Sequence, residues 1–400
     1  MKYPALAITH IHTRASSGPA SELDPVISKA LKDVLGKDTQ ARWSECFTRV
    51  EQLTALLDPR VHAKPVDIIC VTDHANWRAH KLPEDLLEAA AADPRLCVGS
   101  EVATVEQDVD GVYRVAPEVL VYGGTKPSPH TGLNQAQLDG LFQSCRAPGR
   151  FEPQTRRVMD YCAERGWAYA LAHPMDGHQL SVDKTFEIIG RAPFIETVNG
   201  GFPVASTELL ETYLWLHNQL ALGRGLPAEL WNRYPYLQQV ADRIHKLRLK
   251  PIVALGGSDA HAHDFDRVLV RLLSDKPHTR AVDLLTAMTG PSTEELLAEG
   301  TFAIVGRPGT ALSVLDDVLR IVGRNVWANR SHMLTPWTVA RVLGRSAKVV
   351  HQELSQRDQR QKVFLAEARR VLPHGREGNQ GAHVHGFSAT RARRLMHASS

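Results

Sequence analysis

Six apolar segments of this chain each stop at residues able to bind or orient a metal ion, and this recurrence constrains the fold more than any other feature. Ile8-Thr9-His10-Ile11-His12 closes the first segment, and Ile68-Ile69-Cys70-Val71 runs into Thr72-Asp73-His74. Val98-Gly99-Ser100 leads to Glu101, Ala168-Tyr169-Ala170-Leu171-Ala172 to His173-Pro174, and Ile195 to Glu196 and Asn199. The last, Pro251-Ile252-Val253-Ala254, passes through Leu255-Gly256-Gly257 to Ser258-Asp259-Ala260-His261. Short apolar runs rich in branched residues and bounded by glycine or polar residues read as buried strands. In extended chain, residues i and i+2 share a face, so His10 with His12 and Asp259 with His261 each project as a pair. Imidazole and carboxylate together are ligands for borderline and hard divalent ions.

Between these strands lie helical stretches: 83–92, 134–143, 154–165, 182–190, 205–221 and 235–248. Strands apolar on both faces, alternating with helices, predict a parallel sheet covered by helices. Polar ends gathered on one rim favour closure into a barrel, though spacing alone does not choose between barrel and open sheet. Asp108-Val109-Asp110-Gly111 predicts a hairpin turn before a returning strand at 118–122. Residues 22–36 and 40–57 read as a helical insertion within about 19–64, either a lid or a pair of helices packed beside the barrel. After Asp264 the pattern changes to helices at 281–289, 292–299 and 310–322, with a short strand at 302–305. Residues 324–372 read as a basic helical extension and 373–400 as a disordered tail.

The ordered series His-x-His, Thr-Asp-His, Gly-x-Glu, Ala-His-Pro, Glu-x-x-Asn and Gly-Ser-Asp-Ala-His resembles the PHP (polymerase and histidinol phosphatase) family of metal-dependent phosphoesterases, over roughly residues 5 to 265. The resemblance implies a distorted (β/α)7 barrel spanning residues 1–323 and two to three divalent ions, of Mn, Zn or Fe. It implies His10 and His12 on one ion, Glu101 bridging to a second, Asp259 completing the shell and His173 on the second ion. His74 and His261 would hold a third. Glu101, Asp259 and His261 carry the implied catalytic roles, and Asp73 the orientation of an imidazole. Arg14, Lys126, His178 and Asn199 are candidate substrate contacts, because an anionic ester needs polar and cationic neighbours. Glu196 is a candidate for a water or substrate contact, or for a strand-end hydrogen bond.

Three positions depart from the family's pattern. Ile8 stands where an aspartate is usual, Ser16-Ser17-Gly18 replaces a Ser-Asp-Gly turn, and Glu118 replaces a histidine. Ser17 weakens the expected third site, whereas Glu118 still offers oxygen and shifts preference toward Mn or Mg. The expected reaction is hydrolysis of a small phosphorylated metabolite or nucleotide by a metal-activated hydroxide.

Charge separates along the chain. Residues 324–400 carry 14 Lys/Arg against 4 Asp/Glu, leaving 33 against 40 in the remainder. The basic segment raises an alternative, nucleic-acid processing of an exonuclease kind, weakened by the lack of interleaved aromatics for stacking. The substituted Ile8 and Ser17 raise another, a noncatalytic scaffold. The five cysteines lack C-x-x-C spacing, and no apolar run reaches membrane-spanning length. With no signal-peptide pattern, these features lead to the expectation of a reducing, cytoplasmic setting without a membrane partner. Oligomeric state is not legible.

Overall fold

The computed structural model describes residues 3–13, 16, 49–61, 66–125, 130–176, 178–200, 204–260, 265, 267–274, 280–309 and 359–372. The chain is mixed α/β, with two six-stranded mixed sheets and helices. The strands are β1 (Tyr3–Ile8), β2 (Ile68–Val71), β3 (His74–Ala75), β4 (Leu96–Val98), β5 (Ser100–Gln107), β6 (Tyr113–Gly123), β7 (Thr131–Gly132), β8 (Ala168–Leu171), β9 (Phe194–Asn199), β10 (Val253–Gly257), β11 (Val268–Ser274) and β12 (Phe302–Gly306). Helices run α1 (Val50–Ala55), α2 (Glu84–Ala92), α3 (Gln135–Ser144), α4 (Thr155–Glu164), α5 (Val182–Ile189), α6 (Val204–Ala221), α7 (Ala228–Arg233), α8 (Tyr236–Leu247), α9 (Ala281–Thr289) and α10 (Thr293–Glu299), then α11 (359–371).

One sheet has the order β12-β11-β1-β2-β4-β7, the other β10-β9-β8-β6-β5-β3. The expected parallel sheet accounts for only part of the pairing, and the expected hairpin is present. Parallel pairing holds for β1–β2, β2–β4, β8–β9 and β9–β10. The Asp108–Gly111 turn is too short for a crossover and sets β5 and β6 antiparallel. β6 then lies antiparallel to β8, and β11 antiparallel to both β1 and β12. Strand β11 was not anticipated, because exposed Arg271 interrupts its apolar run. The helix expected at 40–57 begins only at Val50 among the described residues. Arg49 is extended at φ −92° and ψ 153°, and its backbone N–H donates to the Gln52 side chain at 2.9 Å. The rest of the insertion, the 310–322 helix and the 373–400 tail lie outside the described residues.

Alternation of side chains divides each strand between two cores. Ala5, Ala7, Ile68, Cys70 and Cys97 of one sheet share an interior cluster with Tyr122, Ala168, Ala170, Phe194 and Leu255 of the other. Their partners Ile8, Ile69, Val71, Tyr169 and Ile195 face outward into the larger cluster with the helices. Leu284, Leu285, Met288 and Leu296 of α9 and α10 join the interior cluster. The Ala281 N–H bonds the Pro94 carbonyl just before β4, placing α9 at the amino ends of the strands. Full burial of each such leucine is worth about 2 kcal/mol. The carboxyl ends, opposite, carry the polar groups.

At that end the two sheets meet. β2 continues after two residues into β3, and β4 after Gly99 into β5, each passing from one sheet to the other. Ile11, beyond β1, forms a parallel bridge with Ala260, beyond β10. The His12 N–H donates to the Ala260 carbonyl at 3.1 Å and the Asp259 N–H to the His10 carbonyl at 3.0 Å.

Candidate metal centre

His10 and His12 leave β1 on one face, both fully buried. Their Nε2 atoms lie 3.0 Å apart. Glu101 Oε2 stands 3.3 Å from each, and Asp259 Oδ1 stands 3.5 Å from His10 Nε2 and 3.0 Å from His12 Nε2. Ligands about 2.0–2.1 Å from a tetrahedral ion are separated by about 3.3–3.4 Å. These five separations are close to those within a tetrahedral shell, and the four residues form one candidate metal group.

Glu101 belongs to a second group. Its Oε2 lies 2.9 Å from His74 Nδ1, and its Oε1 lies 3.0 Å from His173 Nε2. Glu118 approaches both histidines, at 4.0 Å from His74 and 3.8 Å from His173. Because β6 runs antiparallel, Glu118 reaches the same rim from the middle of its strand, its carbonyl accepting from the Ala172 N–H at 3.0 Å. His74, Glu101 and Glu118 together could hold a metal ion.

The tautomers fit cation binding. Ser16 Oγ donates to Asp73 Oδ1 at 2.9 Å, so it accepts from His12 Nδ1 at 3.0 Å. That leaves the Nε2 lone pair of His12 turned toward Glu101 and Asp259. His10 Nδ1 likewise faces Glu196 Oε1 at 3.0 Å. Glu101 Oε2 is buried and, among the described residues, accepts no well-aligned hydrogen bond, although three ring nitrogens surround it. A cation satisfies such a cluster, since lone pairs and carboxylates otherwise point at one another.

The electrostatics agree. Burial opposes charge on His10, yet Glu101, Glu196 and Asp259 hold its pKa well above the ordinary histidine value. His74 and His173, also opposed by burial and drawn up chiefly by Glu101, rise to about 9 and about 10. Against the same burial penalty, neighbouring histidines hold Asp259 and Glu101 below the usual carboxylate range. Without a cation the site takes up protons, which a divalent ion displaces.

The backbone is bent to serve this geometry. Three non-glycine described residues have positive φ, and two of them are His173 (22°) and Asp259 (49°). Such conformations cost on the order of 1 kcal/mol or more and persist where the surroundings impose them. A Cβ on Gly257 would run into Glu196 Oε1 and His10 Cβ, so glycine is what lets the carboxylate stand behind the imidazole.

Asp73 belongs to neither group of ligand atoms. Its oxygens accept from the Thr13 backbone N–H and hydroxyl, both at 2.6 Å, and from Ser16. It thus positions His12 through Ser16. Glu196 Oε2 accepts from the His173 N–H at 3.0 Å and from Asn199 Nδ2 at 2.8 Å. Asn199, expected at the substrate, is tied to this carboxylate. His178 packs edge-on against Phe364 of α11, with ring centroids 5.0 Å apart, and burial pushes its pKa down to about 4. Arg14, Ser17, Lys126 and His261 lie outside the described residues. The roles of Ser16 and Gly257 had no sequence signal beyond their place in the motifs, and that of Glu196 behind His10 needed the strand register.

Leu365 and Ala368 of α11, and Leu372 just after it, are buried in the larger core. Gln361 Nε2 donates to Ser206 Oγ at 2.6 Å and to Asp176, in the turn that follows His173. Part of the basic extension is therefore docked. Among the described residues no helix is long and apolar enough to cross a membrane. No family model, no curated protein and no solved structure matches this chain.

Proposed function

We propose that the chain is a metal-dependent hydrolase of phosphate esters, built on a distorted (β/α)7 barrel of PHP type. The observation that carries this reading is one fully buried carboxylate, Glu101, shared between two groups of ligand atoms. His10, His12, Glu101 and Asp259 would hold one ion; His74, Glu101 and Glu118, with His173 beside them, would hold another. His261 belongs with this set by its motif and is the further ligand if a third ion binds. Imidazole and carboxylate donors without thiolate suit Zn, Mn or Fe(II). Bound there, divalent ions supply an acidified water and positive charge against the phosphate oxygens.

The chain's own residues do the remaining work. Glu196 and Ser16 keep the His10 and His12 lone pairs directed inward. Glu101 fixes the separation of the two groups. Asp259 is 11% exposed at its side chain, and with His74 at 15% and Glu118 at 19% it forms the solvent-facing lip where an ester can enter. The substrate is a phosphate ester, of a small phosphorylated metabolite or nucleotide or, in the alternative reading, of a nucleic acid.

Elemental analysis of protein purified without chelator tests the reading, followed by a hydrolysis screen over sugar phosphates, nucleotides and short oligonucleotides. Two or more equivalents of a transition metal and metal-dependent release of phosphate are expected. Protein that takes up no metal, or stays inactive on every ester after metal addition, overturns it.

A further inference from the structure

Near the centre, two tight turns bring together aromatics that are 74 positions apart in sequence. Trp77 tips the turn after β3, closed by reciprocal Asn76–Ala79 backbone bonds of 2.9 and 3.1 Å. Phe151 tips a second turn, closed by Ala147 N–H to Glu152 carbonyl at 2.8 Å and Arg150 N–H to Ala147 carbonyl at 3.0 Å. Their rings stack, with centroids 5.1 Å apart and planes 19° from parallel. Phe151 remains 59% exposed at the tip of a turn whose neighbouring residues are fixed by backbone bonds.

Arginines surround this stack. The Arg78 guanidinium carbon lies 4.6 Å from the Trp77 ring centre and that of Arg146 lies 5.8 Å from the Phe151 ring centre. Arg150, next in the chain to Phe151, covers Tyr113 at 5.4 Å. Flat rings beside exposed guanidinium groups are complementary to a ligand that is both planar and polyanionic. Neither a sugar phosphate nor an acidic peptide has both properties; a single-stranded nucleic acid repeats them at every step.

Trp77 follows His74 by three residues, so their Cα atoms are at most about 10 Å apart. That is about three stacked nucleotides at 3.4 Å per step. We infer that Trp77 and Phe151, with Arg78 and Arg146, form a stacking platform for the bases of a single-stranded nucleic acid whose end reaches the metal centre. The inference rests on the hydrolase reading for what happens at that end and names the substrate class. The platform itself needs no ion.

The test compares two fluorescent probes of equal length and charge with the full-length protein. One is a phosphorothioate oligothymidylate of about eight nucleotides, within the range one such surface covers. The other is the same backbone built from abasic spacers. Binding by anisotropy is expected to favour the base-bearing probe by about tenfold or more. Phe151→Ala, at an exposed position, and Trp77→Ala should bring that ratio close to one. Equal binding of the two probes by the unaltered protein, a preference that survives both substitutions, or no binding of either probe overturns the platform. A Phe151-dependent preference in a protein that hydrolyses no ester retains the platform and removes the hydrolase reading. Hydrolysis of sugar phosphates without base preference does the reverse.

Discussion

Glu196 stands directly behind His10, with Oε1 3.0 Å from Nδ1, while its Oε2 holds the backbone N–H of His173. One buried carboxylate thus positions a candidate ligand of each group without entering either. Partners of this kind fix the tautomer and basicity of a ligating imidazole.

Glu196→Gln should weaken metal binding by about 10- to 100-fold. Competition against a chelator of known affinity measures it. A loss below about threefold would show that His10 is oriented without Glu196.

Gly257→Ala should displace Glu196 from His10, because the added methyl occupies the carboxylate's position. Overpacking of this sort costs about 1–3 kcal/mol. Denaturant unfolding should show that loss with a drop in bound metal. Gly225→Ala, where an added Cβ meets nothing within 4 Å, is the control and should leave metal content unaltered.

Glu118→Ala should remove one equivalent of metal and leave another in place, since Glu118 belongs only to the His74 group. Elemental analysis reads the count directly. Loss of every ion, or of none, contradicts two groups joined at Glu101.

His217 lies away from these groups, fully buried on α6, with Nε2 3.0 Å from the Lys250 carbonyl. Burial lowers its pKa to about 4. Because the folded value lies below the unfolded 6.5, the unfolded chain takes the proton first as pH falls. The stabilisation is complete above about pH 6.5 and is lost progressively between there and about pH 4, by about 3 kcal/mol in all. His217→Gln should remove that part of the acid sensitivity. Unfolding free energies at pH 7 and pH 4, measured for both proteins under chelator, give the comparison; equal slopes would contradict it.

The strand ends were legible because apolar runs broken by His, Asp or Glu are local patterns. His10, His12, His74, Glu101, His173 and Asp259 all follow from such breaks. What could not be read was pairing. The Asp108–Gly111 turn marked β6 as running against β5, but nothing local indicates that β6 also runs against β8 or that β11 runs against its neighbours, since an apolar strand looks alike in either direction. For the same reason Glu118 gave no sign of lying beside Ala172. Gly257 is legible only as a strand-ending glycine until Glu196 is placed behind it. The stack of Trp77 on Phe151 was invisible, because its rings come from distant turns. The lack of interleaved aromatics was read for the basic segment and says nothing of the folded surface.

Of the groups gathered at the rim, His10 and His12 follow β1 of one sheet, whereas Glu101 and Glu118 lie in β5 and β6 of the other and Asp259 follows its β10. An ion on His10, His12, Glu101 and Asp259 would therefore be a rivet across a seam, loaded by any motion that parts the sheets. The mechanical strength of that seam would then track metal supply. Amide exchange at His12 and Asp259, whose N–H groups stitch it, should quicken on chelation well before the amides of β1 and β9 respond.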